Sequence, residues 1–469
     1  MDLSINSLHT NYKAGTLTTL QVLEHILQRL SDEDQSGVWI STVDADKARD
    51  RATYLDSIKH QMDSFPLYGL PFSVKDNIDV AGEPTTAACP DFSYTPDRSA
   101  TVVQAALDAG AIFIGKTNLD QFATGLVGVR SPYGIPRNPF NASYIPGGSS
   151  AGAGVSVSTG MVNFALGTDT GGSGRVPASY NGIAGLKPAP GLLSRHGLVF
   201  ACRSIDTPSI FTRSSADAIS VFNALSIEDA QDPFFQNKQA ASVLSPSTCR
   251  FGVPGDDQLE FFGNQEVACL FLKAVAHLSD TFAPPEAVNF DVLTDINDLM
   301  FFGPLLAERD VSVGEFVDAN PGGCHSIVQQ LITGSRRFTA ADAYKAIYRV
   351  AEARSTMESI WSKVDVLMVP TVGSLYSLDD IAADPLQANF NNGYYTNFAN
   401  PLGLSAISTP FAVNKDGVPW GVTFLFKPGL EASVAEISDV FSSHWAISPK
   451  DMKNTHTSVQ PVNARSTTN

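Results

Sequence analysis

Lys75, Ser149 and Ser173 are the residues of this chain whose types and spacing could activate an oxygen nucleophile without a histidine. Lys75 closes the apolar run Gly69-Leu70-Pro71-Phe72-Ser73-Val74 and is followed by Asp76-Asn77. The two serines belong to glycine-rich elbows, Gly147-Gly148-Ser149-Ser150 and Thr170-Gly171-Gly172-Ser173-Gly174, and lie 24 residues apart. A serine hydroxyl is a poor nucleophile until a base takes its proton. Lysine becomes such a base when desolvation lowers its pKa from about 10.4 towards neutrality. Leu70, Pro71, Phe72 and Val74 supply an apolar setting in which that could happen. A serine from the first elbow would then relay the proton from Ser173 to Lys75 and back to a leaving nitrogen.

The Gly171-Gly172 pair lets the backbone turn through conformations closed to other residues. Such a turn can aim the N–H groups of Thr170, Gly171, Gly172 and Ser173 at one point, a nest for an oxyanion, where one donor is worth on the order of 3 kcal/mol. Plainer readings exist for each piece. A Gly-Gly-Ser turn is often only a turn, and a lysine after an apolar strand often points to solvent. A Gly/Ser run could also cradle a phosphate, but neither elbow carries GxxxxGK[ST] or GxGxxG.

These residues need elements to hold them. Thr18-Thr19 precede Leu20, Val22, Leu23, Ile26, Leu27 and Leu30, which predicts a capped amphipathic helix. A second, more polar helix is predicted over 47–62. From about residue 66, short apolar runs alternate with helical patterns over 70–74, 102–107 and 111–115, and again over 161–166 and 183–186. Strands interleaved with helices predict an α/β layered sheet buried on both faces. Residues 216–360 read as mainly helical, most clearly over 265–278 and 340–353. Strand-like runs return at 364–370 and 421–426 and are expected to complete the same sheet, with the helical stretch as an insertion capping one edge. The division predicted is N-terminal helices packed on the core (1–65), one main domain (66–447) and a polar, disordered tail (448–469).

The bulk numbers narrow the classes. A formal net charge of −17 repels nucleic acid and anionic membrane and obliges any anionic substrate to find a local cation. No run of 18 or more apolar residues is present, and the start lacks a basic segment leading into an apolar one, so a cytoplasmic protein is expected. The five cysteines, Cys89, Cys202, Cys249, Cys269 and Cys324, are scattered, which predicts reduced structural thiols. The eight histidines form no HExxH or HxH spacing, so metal catalysis has no support in the sequence.

Taken together, the stretches 69–77, Gly115-Lys116-Thr117-Asn118, 146–154, 167–177 and 182–188 resemble the amidase signature family, over roughly 66–215. The resemblance implies a mixed central sheet of about eleven strands covered by helices on both faces, and a Ser–cis-Ser–Lys catalytic triad. By motif position Ser173 resembles the nucleophile, Ser149 the relay serine with the cis peptide, and Lys75 the general base. The oxyanion donors would be the N–H groups of Thr170, Gly171, Gly172 and Ser173, with Ser150 as support. Asp169 and Arg175, which flank the second elbow, look like the family's structural pair, and Arg175 reads as a buried brace rather than a substrate ligand.

A second resemblance, carried by Gln258-Leu259-Glu260-Phe261-Phe262-Gly263, by Gly303-Pro304 with Ala307-Glu308-Arg309, and by the stretch 384–398, extends to about residue 426 and points to the amidase domain of allophanate hydrolases. There an arginine matching Arg309 binds the substrate carboxylate, which suits the guanidinium fork. The competing reading pairs Arg309 with Glu308 or Asp310 on a solvated helix face. Relatives carry a substrate-touching tyrosine eight residues before that arginine; here the position is Phe301, without a hydroxyl. Many relatives also carry a further C-terminal domain. The activity implied is hydrolysis of the terminal amide of allophanate with release of ammonia, which calls for no metal or organic cofactor. The alternatives are another small amide, carbamate or biuret-like substrate, or one component of an amidotransferase. The expected partner is a small anionic molecule, not nucleic acid or membrane, with a homodimer left open.

Overall fold

The computed structural model describes residues 1–236, 243–301 and 303–445, and for Phe301 the backbone alone. The tail expected to be disordered lies outside the described residues. Among the described residues, eleven strands form one mixed sheet: β1 (Trp39–Thr42), β2 (Pro71–Lys75), β3 (Ile112–Thr117), β4 (Phe164–Asp169), β5 (Ala184–Lys187), β6 (Thr207–Thr212), β7 (Phe251–Pro254), β8 (Glu286–Val288), β9 (Val366–Pro370), β10 (Ser405–Val413) and β11 (Pro419–Phe426). Their spatial order is β1-β3-β2-β4-β6-β5-β10-β11-β9-β7-β8. The mixed sheet of about eleven strands implied by the family resemblance is therefore present.

β2 is parallel to both β3 and β4, and every residue of these three strands is buried. That explains their unbroken apolar runs: helices cover parallel strands on both faces, so no solvent face imposes a polar alternation. Period-two burial on two different cores is visible at the other end of the sheet. Val366 and Met368 of β9 join one apolar cluster while Leu367 and Val369 join another, and in β11 Phe424 and Phe426 part from Leu425 in the same way.

The amphipathic helix predicted near the start spans Thr19–Asp32. It is closed by a capping box in which Thr18 and Gln21 satisfy each other's backbone N–H groups. An earlier helix, Ile5–Ala14, was not foreseen; Leu8 and Tyr12 seat it on the main core. The second predicted helix divides into an α-helix, Ala45–Ser57, and a 3-10 turn, Lys59–Ser64. Within 216–360 lie long helices, among them Gln265–Thr281, Ala307–Ala319 and Ala340–Trp361, but also β7 and β8, which extend the sheet beyond β9. No helix among the described residues is long and apolar enough to cross a membrane.

Candidate active site

Lys75 is the last residue of β2 and is fully buried. Its ammonium group donates to Ser149 Oγ at 2.7 Å and to Thr168 Oγ1 at 2.8 Å, with Thr168 O at 3.5 Å. No carboxylate forms an ion pair with it among the described residues. Burial brings its pKa down to about 7, against the pull of Asp120, Asp206 and Asp169 in the other direction. The desolvated lysine foreseen from the apolar run is thus what the fold produces.

Ser149 follows a cis peptide bond from Gly148. The tight packing of this elbow comes from Asp120, whose carboxylate accepts the N–H groups of Val127 (3.1 Å), Gly128 (2.9 Å) and Arg130 (3.0 Å). A Cβ on Gly148 would run into that carboxylate. Ser150 then leads into the helix Ala151–Ser158, and its hydroxyl donates to Thr168 O at 3.2 Å. Ser150 therefore ties the first elbow to β4.

The second elbow leaves the end of β4. The Asp169 carboxylate holds both arms of Arg175, at 3.0 Å from Nε and 2.9 Å from Nη2, with neither side chain exposed. It also accepts the N–H groups of Gly172 (2.9 Å) and Gly174 (2.8 Å). Arg175 reaches on to Thr396 O and Asn400 Oδ1. The brace expected of this pair is thus built from an ion pair and four charge-assisted hydrogen bonds. Gly172 sits at φ 138°, and a Cβ there would collide with Thr396.

Of the four N–H groups expected to face an oxyanion, Gly172 is a correction: its N–H is already given to Asp169. The N–H groups of Thr170, Gly171 and Ser173 have no partner among the described residues. Ser173 is buried, at 2 % exposure. The structure gathers Lys75, Ser149 and Thr168 into one hydrogen-bonded cluster and carries Ser173 on the turn beyond Thr168. No hydrogen bond joins Ser173 to Ser149 among the described residues.

Arg309 lies in the helix Ala307–Ala319 and is buried. Its carboxylate neighbours in sequence are engaged elsewhere: Glu308 accepts from Ser204, and Asp310 pairs with Arg336. The solvated-face reading of Arg309 is therefore set aside. Its Nη1 instead meets Cys202 Sγ at 3.2 Å, and its Nε has no partner. Cys202 is joined through Asp206 to Thr170 of the elbow: Asp206 accepts Cys202 N at 3.1 Å and Thr170 Oγ1 at 2.6 Å. Phe301 ends the helix Asp291–Phe301, and its side chain lies outside the described residues.

Sequence reasoning missed Thr168, Cys202 and Asp206. Thr168 could have been found as the hydroxyl inside an otherwise apolar strand end; nothing local marks Cys202 or Asp206. Among the described residues no three His, Cys, Asp or Glu side chains gather to share an ion.

A sheet of this topology, with a cis-serine elbow bonded to a buried lysine, defines the amidase class: residues 21–434 match the amidase family, and the chain belongs to it. Among its relatives, the urea amidolyase of Saccharomyces cerevisiae is 35% identical over 456 residues, covering 96% of this chain and 25% of that protein. The allophanate hydrolase of Kluyveromyces lactis superposes with a TM-score of 0.87 at 36% identity, covering 94% of this chain and 72% of that one. A glutamyl-tRNA(Gln) amidotransferase component from Symbiobacterium thermophilum is 30% identical, covering 93% of this chain and 95% of its own length. The chain spans about a quarter of the length of the urea amidolyases it matches.

Proposed function

We propose that the chain hydrolyses the terminal C–N bond of allophanate, releasing ammonia. The observation that carries this reading is Arg309: a buried guanidinium with an unpartnered Nε and no carboxylate within ion-pair distance among the described residues, linked to the elbow of Ser173. Such a group is costly to bury alone and suits a planar carboxylate brought in by a substrate. The likeness to urea amidolyase and allophanate hydrolase supports the same substrate class.

In this mechanism the neutral Lys75 takes the Ser149 proton across their 2.7 Å contact while Ser149 takes that of Ser173. Ser173 Oγ attacks the terminal amide carbonyl, and the oxyanion is met by the N–H groups of Thr170, Gly171 and Ser173. The proton returns through Ser149 to the nitrogen, ammonia leaves and an acyl-enzyme remains. Contacts between relay groups commonly tighten only when substrate is bound. Water, deprotonated by the same relay, releases N-carboxycarbamate, which decarboxylates. Arg309 holds the far carboxylate throughout.

The test is ammonia release from allophanate by wild type, Ser173→Ala and Arg309→Ala. Ser173→Ala is expected to lose activity by a factor on the order of 10⁴ or more, and Arg309→Ala to lose it chiefly for anionic substrates. Equal rates for wild type and Ser173→Ala would remove the nucleophile. Glutamine belongs in the panel because of the amidotransferase relative; glutamine hydrolysed faster than allophanate would favour the amidotransferase reading. Phe301→Tyr, with malonamate, carbamates and biuret alongside, is expected to show whether the missing hydroxyl has turned preference away from allophanate.

A further inference from the structure

The mechanism makes no use of the Asp206 carboxylate, although it lies between the two halves of the site. Asp206 is buried just before β6. Three other buried aspartates have an ion-pair partner, Asp169 with Arg175, Asp76 with Lys116 and Asp232 with Arg195, whereas Asp120, Asp217 and Asp229 have none among the described residues. Asp206 has no ion-pair partner among the described residues, and burial pushes its carboxyl up to about 6. An unpaired buried carboxyl is a liability unless hydrogen bonds fix it in place.

Those bonds run in two directions. Oδ1 accepts the Thr170 hydroxyl at 2.6 Å, on the residue whose N–H opens the oxyanion nest. Oδ2 accepts Ala201 N at 2.8 Å and Cys202 N at 3.1 Å, on the segment whose thiol meets Arg309 at 3.2 Å. The Asp206 N–H closes the segment by donating to Cys202 O at 2.8 Å. One carboxylate thus spans the turn that would attack the carbonyl and the brace of the group that would hold the far end of the substrate.

We propose that Asp206 is a positioning residue that fixes the spacing between the Ser173 turn and Arg309, and thereby restricts the site to carboxylate-bearing amides of one short length. This rests on the reading that Ser173 and Arg309 serve the same substrate. A carboxylate held at both ends selects length more sharply than it selects charge, because the two anchoring points cannot adjust independently. A methylene in a fitted site is worth roughly 10–200-fold in discrimination, so loosening the clamp should show in that ratio.

The experiment compares kcat/KM for malonamate and its one-methylene homologue succinamate in wild type, Asp206→Asn and Thr170→Val. Thr170→Val removes one arm of the clamp without touching the carboxylate and keeps the backbone N–H, so it answers even if Asp206→Asn does not fold. The expected result is a fall of about tenfold in the short-over-long preference in each folded variant. A preference unchanged within twofold, or equal losses on both substrates, overturns the proposal, because a merely structural role would lower both alike. Should wild type cleave no carboxylate-bearing amide, the functional reading fails first. The clamp is then judged by the labelling rate of Ser173 with a fluorophosphonate probe: about tenfold slowing in Thr170→Val supports a displaced turn, and an unchanged rate overturns it.

Discussion

Lys75 concentrates the physical problem of the site into one side chain. A base must be neutral to accept a proton, and an ordinary lysine is not neutral near pH 7. In the proposed mechanism, burial with no ion-pair partner among the described residues lets Lys75 do what a histidine does elsewhere. With the pKa near 7, the competent fraction grows as pH rises through that value. The acid limb of kcat/KM should therefore climb with an apparent pKa near 7 and level off above it, and Lys75→Arg, which stays charged, should lose at least about 10²-fold at every pH. A limb centred below 5 would exclude Lys75 as the titrating base. The same shift has a consequence for stability. The folded state binds fewer protons than the unfolded one between about 7 and the ordinary lysine value, so the cost of burying Lys75 is fully felt below pH 7 and relieved as pH rises above it. Asp206 runs the other way, its cost complete above about 6 and relieved as pH falls towards the ordinary aspartate value. At this scale the sequence was informative where chemistry is rare: a lysine closing an apolar run and serines in glycine elbows. It was silent on Thr168 and Cys202, because a threonine and a cysteine acquire a role only through contacts made far along the chain.

The elbow after β4 shows how an element is held for such chemistry. Its shape depends on Asp169 gripping Arg175 and two N–H groups of the turn it precedes. Removing one partner leaves the other as an uncompensated buried charge, so Arg175→Met is expected to destabilise the protein by about 3–5 kcal/mol. Urea denaturation of Arg175→Met, Asp169→Asn and the double variant would measure it. The double variant should lose less than the sum of the two, and strict additivity would mean that the pair is not coupled. The pairing itself was legible, since both residues flank the elbow. The loss of Gly172 as a donor was not. Which N–H groups of a turn remain free depends on where a neighbouring carboxylate reaches, and spacing alone carries no information about that.

Over the described residues, one sheet joins strands from residue 39 to residue 426, so neither the early nor the late described portion keeps a sheet to itself. Unfolding in urea should accordingly be a single transition, with far-UV circular dichroism and tryptophan fluorescence from Trp39, Trp361, Trp420 and Trp445 coinciding; separated midpoints would reveal independently melting parts. The layered α/β class was legible from alternating runs. The placement of β7 and β8 was not: these short strands, four and three residues long, sit among long helices and give no periodic signal of their own. Their order beyond β9 is set by long-range pairing. The position of β2 beside β4 has a consequence of a different kind. On the proposed reading, bond breaking is built on the rims of two neighbouring parallel strands and the elbows beside them, whereas the cation proposed for the substrate's far end, Arg309, sits on a helix much later in the chain. Retargeting, by natural drift or by the engineer, can therefore rewrite the later helices while leaving the cleavage machinery as inherited.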